Sequence, residues 1–391
     1  MSGSLLRDSF SAMAVAVEAA AGQDAIADTP TAAMLLLGSG DFAFNPNITQ
    51  DESFSGGLDA IPGTVGGLMP SIRATVPLRG SGAAGTAPAW GALMRACTFE
   101  EVVTAASIGA PTAASAGTTT TATLATPFAT TAQLYRGMPA ILSGNPATPV
   151  LTPILDYTAG RVATFGQVFA TALNASTLVQ IPAHVLYRPT SDRTIHRTAT
   201  VYLYKDGMVT RFVGCTGNLV SALTSGETGS LQFALRGQFL SRSVGVPIPA
   251  ALSAGSPIQA PRWTNGLSRF LGVRAQMKTL SVDMGLDVTM PDDPEAAEGY
   301  GPGVAVGRAI RVTLDPLTDT TTVLSIVNNF RAGAGGALVA QIGATPGNRF
   351  TIGLPALRVL GADDGNRQRL ATQQIQAQAN AVDAGFFLGC C

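Results

Sequence analysis

In the stretch Leu280-Ser281-Val282-Asp283-Met284-Gly285-Leu286-Asp287-Val288-Thr289-Met290, apolar and small or polar residues alternate without a break. Successive side chains of an extended chain point to opposite sides, so this period-two pattern predicts a strand with one buried and one polar face. Leu231–Phe239, Ile310–Leu314 and Phe350–Ile352 read the same way. Val201-Tyr202-Leu203-Tyr204, Lys205-Asp206-Gly207 and Met208–Phe212 predict a hairpin, because Asp-Gly accepts the positive φ angles of a tight primed turn. With 44 Gly, 24 Pro and a bias towards Thr and Ala, the chain is expected to be mainly β.

Only 13% of the 391 residues are charged and 46% are hydrophobic, against about 25% charged in a typical soluble domain. The mean hydropathy is +0.28. The longest apolar runs, such as Ala32–Leu37, fall far short of the roughly 20 residues a helix needs to cross a bilayer, so no membrane span is expected. The remaining explanation is that other protein chains cover much of the surface, as in a permanent assembly. Net charge is −1, without the basic excess of a protein that grips phosphate backbones. Met1–Gly22 has one early Arg7, and Glu18 interrupts the apolar stretch Phe10–Val17, so it is expected to be mature sequence.

Two helices stand out. Thr86–Cys97 offers Thr86 as a cap, Pro88 in the first turn, and Trp90, Leu93, Met94 and Cys97 at i, i+3, i+4 and i+7. In Asp319–Arg331, Val323, Ile326, Val327 and Phe330 take the same four places, each 233 positions later. Both sets are expected to be the core faces of their helices. Upstream lie Ile72-Arg73-Ala74-Thr75-Val76-Pro77 and Ile310-Arg311-Val312-Thr313-Leu314-Asp315-Pro316; downstream, Arg211-Phe212 leads to Gly229-Ser230-Leu231 and Arg349-Phe350 to Gly365-Asn366-Arg367. This pattern is expected of a diverged internal duplication.

Ile72 to Arg211 spans 139 positions and Ile310 to Arg349 only 39, so the first copy carries an insertion. The expected organisation is a first domain in 1–106 and 183–245, an inserted β module at 107–182 on the outer surface, a proline-rich linker at 246–262, and a second domain at 263–391. A low-complexity spacer over Ala105–Thr131 is the alternative for part of the insertion.

Gly80-Ser81-Gly82-Ala83-Ala84-Gly85 matches G-x-G-x-x-G between a strand and a helix, with Glu100 about 20 residues on, the context of a dinucleotide site. Thr86-Ala87-Pro88 delays the helix and no run of βαβ units follows, so a plain loop is expected. His184 and His196, the only histidines, lack metal spacing, and Asp292, Asp293 and Glu295 read as a solvated turn. No nucleophile elbow exists; no enzymatic activity, metal or cofactor is expected. Of the four cysteines, Cys97, Cys215, Cys390 and Cys391, the last two follow Phe386-Phe387-Leu388-Gly389. They read either as a buried tail docked on a neighbour or as an inter-subunit disulfide.

Leu78–Cys97 resembles a signature of the tail tube (major tail) proteins of long-tailed bacteriophages. The resemblance continues in Thr200–Gly207, Cys215–Leu219 and Gly229–Phe233, and more weakly in Leu280–Asp287. The insertion and the Cys-Cys end depart from it. The resemblance implies β-sandwich or barrel tube domains, each with a flanking helix, arranged in rings whose inner sheets line a channel. It implies that the chain is a structural virion protein, made in the bacterial host cytoplasm, whose stacked rings form the tail and conduct DNA during ejection.

Two such domains per chain predict a ring of three chains with pseudo-six-fold symmetry; a ring of six chains is the alternative. Further partners implied are the tape measure, tail terminator and distal tail proteins, with double-stranded DNA passing without specific binding. Asp283 and Asp287 are expected to face the channel, and an outward module favours a sheathless tail. The competing readings are a decoration or head-tail connector protein, or a secreted β-rich adhesin.

Overall fold

The computed structural model describes residues 6–7, 9–26, 40–54, 56–249, 258–319 and 322–391, with side chains left out for 322–325. The run Ala32–Leu37 and most of the linker's centre lie outside these residues. Strand accounts for 54% and helix for 4%, so the chain is mainly β.

In chain order the first half contains β1 (Ser11–Val17), β2 (Gly40–Ala43), β3 (Pro46–Asp51), β4 (Ile61–Leu68), β5 (Ser71–Pro77), α1 (Gly91–Ala96) and β6 (Phe99–Thr104). The insertion follows with β7 (Ile108–Ala113), β8 (Ala116–Gly117), β9 (Thr121–Thr123), β10 (Pro139–Ser143), β11 (Val150–Tyr157), β12 (Val162–Phe165) and β13 (Leu178–Ile181). Then come β14 (His184–Pro189), β15 (Ala199–Lys205), β16 (Met208–Thr224) and β17 (Ser230–Val244). The second half contains β18 (Ser268–Phe270), β19 (Val273–Arg274), β20 (Met277–Asp283), β21 (Leu286–Thr289), β22 (Val304–Arg308) and β23 (Arg311–Pro316). It ends with α2 (Thr322–Ala332), β24 (Gly335–Ile342), β25 (Phe350–Arg367), β26 (Leu370–Ala379) and β27 (Phe387–Cys390).

The two halves repeat one topology. After β1 in the first half and β18–β19 in the second, each runs through a strand (β2 or β20), sends out a two-stranded ribbon (β3·β4 or β21·β22), returns as a strand (β5 or β23) and enters a helix. Each then forms a meander, β15–β16–β17 or β24–β25–β26, whose last strand pairs with the strand before the helix. Within the paired strands Asp41 lies opposite Arg73, and Asp283 opposite Arg311. The halves fuse because β20 pairs antiparallel with the end of β16, giving the strand order β2-β5-β17-β16-β20-β23-β26-β25-β24. Beneath this sheet runs one continuous core, including Trp90, Leu93, Phe212, Phe233, Leu280, Leu314, Phe350 and Ile375.

Residues 108–181 form a separate seven-stranded sheet, ordered β7-β13-β10-β11-β12-β9-β8, with its own core around Phe128, Tyr135, Ile154 and Tyr157. Its base is the antiparallel pair β6·β14. That core takes in Leu186 and Phe387 from the main body, so the module is welded to it. The spacer alternative for Ala105–Thr131 fails: β7, β8 and β9 occupy the segment, and the Thr118 hydroxyl closes the threonine turn by accepting from the Thr121 N–H at 3.1 Å.

Several sequence expectations need correction. Leu280–Met290 is two strands, because Gly285, at φ 54°, turns the chain out of the main sheet into the ribbon. Thr86 caps no helix; α1 begins at Gly91 after a turn held by Ser81, and Trp90 occupies the cap position without a side-chain bond to the helix's N–H groups. Trp90, Leu93, Met94 and Cys97 are all buried. On α2, Ile326 is buried and Val327 half-buried, but Phe330 is 42% exposed, so the expected core stripe is buried only in part among the described residues. The Val323 side chain lies outside the described residues. The two glycine stretches taken as equivalent are not, since Gly229 precedes β17 whereas Gly365–Arg367 closes β25. The Asp206-Gly207 hairpin forms with φ angles of 42° and 83°.

Candidate functional site

The glycine loop is filled by its own chain. The Gly80 N–H donates to Asn348 Oδ1 at 2.9 Å and the Gly82 N–H to Gly347 O at 3.0 Å. A Cβ on Gly80 would lie 1.9 Å from Gly347 O, so a side chain there would force the two loops apart. Glu100, the acid at dinucleotide spacing, is bound to Arg188 Nε at 2.6 Å. The backbone donors that would cradle a phosphate instead join the two repeats.

Trp90 and the C-terminus complete this junction. The Trp90 indole N–H donates to Arg79 O at 2.8 Å, and its ring lies 5.2 Å from Tyr187 and 6.3 Å from Phe350. The Gly347 N–H donates to Cys391 O at 2.9 Å, and the Cys391 N–H to Arg349 O at 3.0 Å. β27 continues along β25 beyond β26, where the second half of β17 runs along β16, and β14 flanks it on the other side.

Cys390 and Cys391 both carry free, buried thiols, one inside a paired strand and the other at its end. A crosslink would require β27 to leave the sheet. Burial pushes the Cys390 thiol up to about 12, and it raises Cys97 and Cys215 as well. For Cys391, burial outweighs the opposing pull of Arg349. His184 is buried, with its Nδ1–H donating to Pro182 O at 2.8 Å; burial lowers its pKa against that bond. His196 bonds Thr190 O at 2.9 Å. Neither histidine meets a ligand cluster among the described residues.

Asp283 and Asp287 do not share a strand face. The Asp283 carboxylate accepts from Asn218 Nδ2 at 2.7 Å and from the Gly285 N–H at 2.8 Å, while Asn218 Oδ1 accepts from the Leu286 N–H at 2.9 Å. This clasp holds the chain where it leaves the main sheet. Asp287 is exposed on the ribbon. In the ribbon's loop, Asp293 Oδ1 accepts from the Glu295 N–H at 3.0 Å. Both ribbons expose apolar side chains, Ile48 and Val65 on one, Val304 and Val306 on the other. An open groove of about 1160 Å³ runs beside β22, where Arg308 bridges to Asp383 at 2.7 Å.

The described residues thus present exposed apolar ribbons on a body built from two repeats. Sequence periodicity found the core residues of α1; the Asn218–Asp283 clasp and the Asn348 latch link positions too far apart in the chain for any local pattern to reveal. No known protein-family profile matches this sequence, and no curated protein is significantly similar to it.

Proposed function

We propose that this chain is a structural subunit that polymerises into stacked rings, the tail tube of a long-tailed bacteriophage, and that DNA passes through the channel. One observation carries the reading: two copies of a strand–ribbon–strand–helix–meander unit are joined in series by β16·β20 into one sheet, as neighbouring subunits of a ring would be. A ring of three such chains then holds six similar units. The 13% charge and the exposed apolar ribbons fit a subunit whose surface is largely covered by copies of itself. A net charge of −1 fits a conduit that does not hold DNA.

The test is negative-stain electron microscopy of the purified full chain at high concentration, with rotational averaging of end-on views. The expected result is open-ended stacks of rings with a central hole and three-fold modulation. Discrete monomers at every concentration overturn the proposal.

A further inference from the structure

The junction between the repeats exists once within the chain, and both halves of a second such junction are present but apart. Strand β16 pairs along its first part with β15 on one side; along its last part the same side carries β20, from Val220 opposite Asp283 to Thr224 opposite Thr279. Its counterpart β25 carries β24 on that side only as far as Arg358. From Val359 to Arg367 the edge takes no strand among the described residues, and Leu360, Asp363 and Asp364 are exposed. The counterpart of β20 is β2, which pairs with β5 and with no other strand among the described residues. Within one chain β2 stands seven strand positions from β25, about 34 Å at 4.8 Å per strand.

We propose that the edge of β25 beyond Val359 receives β2 of a second copy of this chain, antiparallel, with Asp41 opposite Gly361. This deepens the ring reading above and rests on it.

The repeat fixes the register. Val76 opposes Leu231 as Leu314 opposes Ile375; Leu231 opposes Ser221 as Ile375 opposes Ala362. Val220 therefore corresponds to Gly361, and one residue earlier the hairpin bulges at Leu360. Asp41, opposite Arg73, corresponds to Asp283, opposite Arg311. Asn218, which opposes Ala234 and binds Asp283, corresponds to Arg358, which opposes Gln378.

The partner for Asp41 across the new junction is thus an exposed guanidinium, opposite in charge, where the internal junction uses an amide. Because the two edges are different surfaces, the contact is head-to-tail and propagates until the ring closes. Pairing also removes the open edges that would otherwise template disordered aggregation.

The test is oxidative crosslinking of the full-length double variant Asp41→Cys with Gly361→Cys. Opposed residues in an antiparallel pair have Cα atoms about 4.5–5.5 Å apart, within reach of a disulfide. A side chain at Gly361 meets nothing closer than 4.0 Å, and the native cysteines are buried. The expected result is a ladder of covalent multimers that ends at the ring, absent from either single variant and from Asp41→Cys with Asn366→Cys.

A second arm uses charge. Arg358→Glu should weaken assembly several-fold at low salt, and adding Asp41→Arg should restore it. Rings in the micrographs without crosslinking or charge rescue overturn the junction and leave the ring reading standing. Monomers throughout overturn both.

Discussion

Replacing Trp90 is expected to loosen the two repeats together. The indole is 2% exposed, lies against Tyr187 and Phe350, and donates to the Arg79 carbonyl just before the glycine loop. It therefore touches the strand that follows the module, the long strand of the second repeat and the loop that latches onto Asn348. Trp90→Ala removes the whole ring from a packed site and should cost about 3–5 kcal/mol. Trp90→Phe keeps most of the apolar contact but strands the Arg79 carbonyl, a loss of about 1–3 kcal/mol.

The assay is equilibrium urea unfolding of the dissociated chain, followed by far-UV circular dichroism and by fluorescence of Trp263, the only other tryptophan. Trp263 sits by the β16–β17 turn, where its N–H donates to Glu227 O, so coincident transitions at both probes would show the repeats unfolding as one unit. A loss below about 1 kcal/mol for Trp90→Ala, in the units of the core-truncation scale, or wild-type behaviour of Trp90→Phe, would refute this account of the junction.

Two further outcomes follow from burial. All four cysteines should resist an aromatic disulfide reagent at pH 8 in the native chain and react on unfolding, since burial holds Cys390 near 12 and the other three thiols raised; two fast-reacting native thiols would contradict the placement of β27. Burial also depresses His184 below its unfolded value of 6.5. The unfolded chain then binds the extra proton, so stability is full above pH 6.5 and is lost as the pH falls towards the folded pKa. Thermal melts from pH 7.5 to 5 should show this slope, and His184→Gln should flatten it; an unchanged slope would move the effect elsewhere.

Much of the framework was legible along the chain. The Asp-Gly hairpin, the alternating strands and the α1 core face were readable because each rests on neighbours a few residues apart. The one-strand reading of Leu280–Met290 failed for a tertiary reason. Its alternation is real, but Asn218 from another strand binds Asp283 and the Leu286 N–H, and Gly285 supplies the positive φ that lets the chain leave. Phe330 fits its helical stripe, yet it remains 42% exposed.

By itself the sequence determined the strand-rich class, the paired helix signatures and the low charge, all consequences of side-chain periodicity and composition. Only the tertiary structure decided where the strands pair. It turned the glycine motif into a latch for Asn348, because a loop's backbone donors take whichever acceptor the fold brings within 3 Å. It placed the terminal cysteines inside the sheet, because the shorter β26 leaves the far part of β25 to be covered by β27. Among the described residues it left β2 and the end of β25 each with one unpaired edge, because a sheet built from two repeats in series has one internal junction and two unmatched ends.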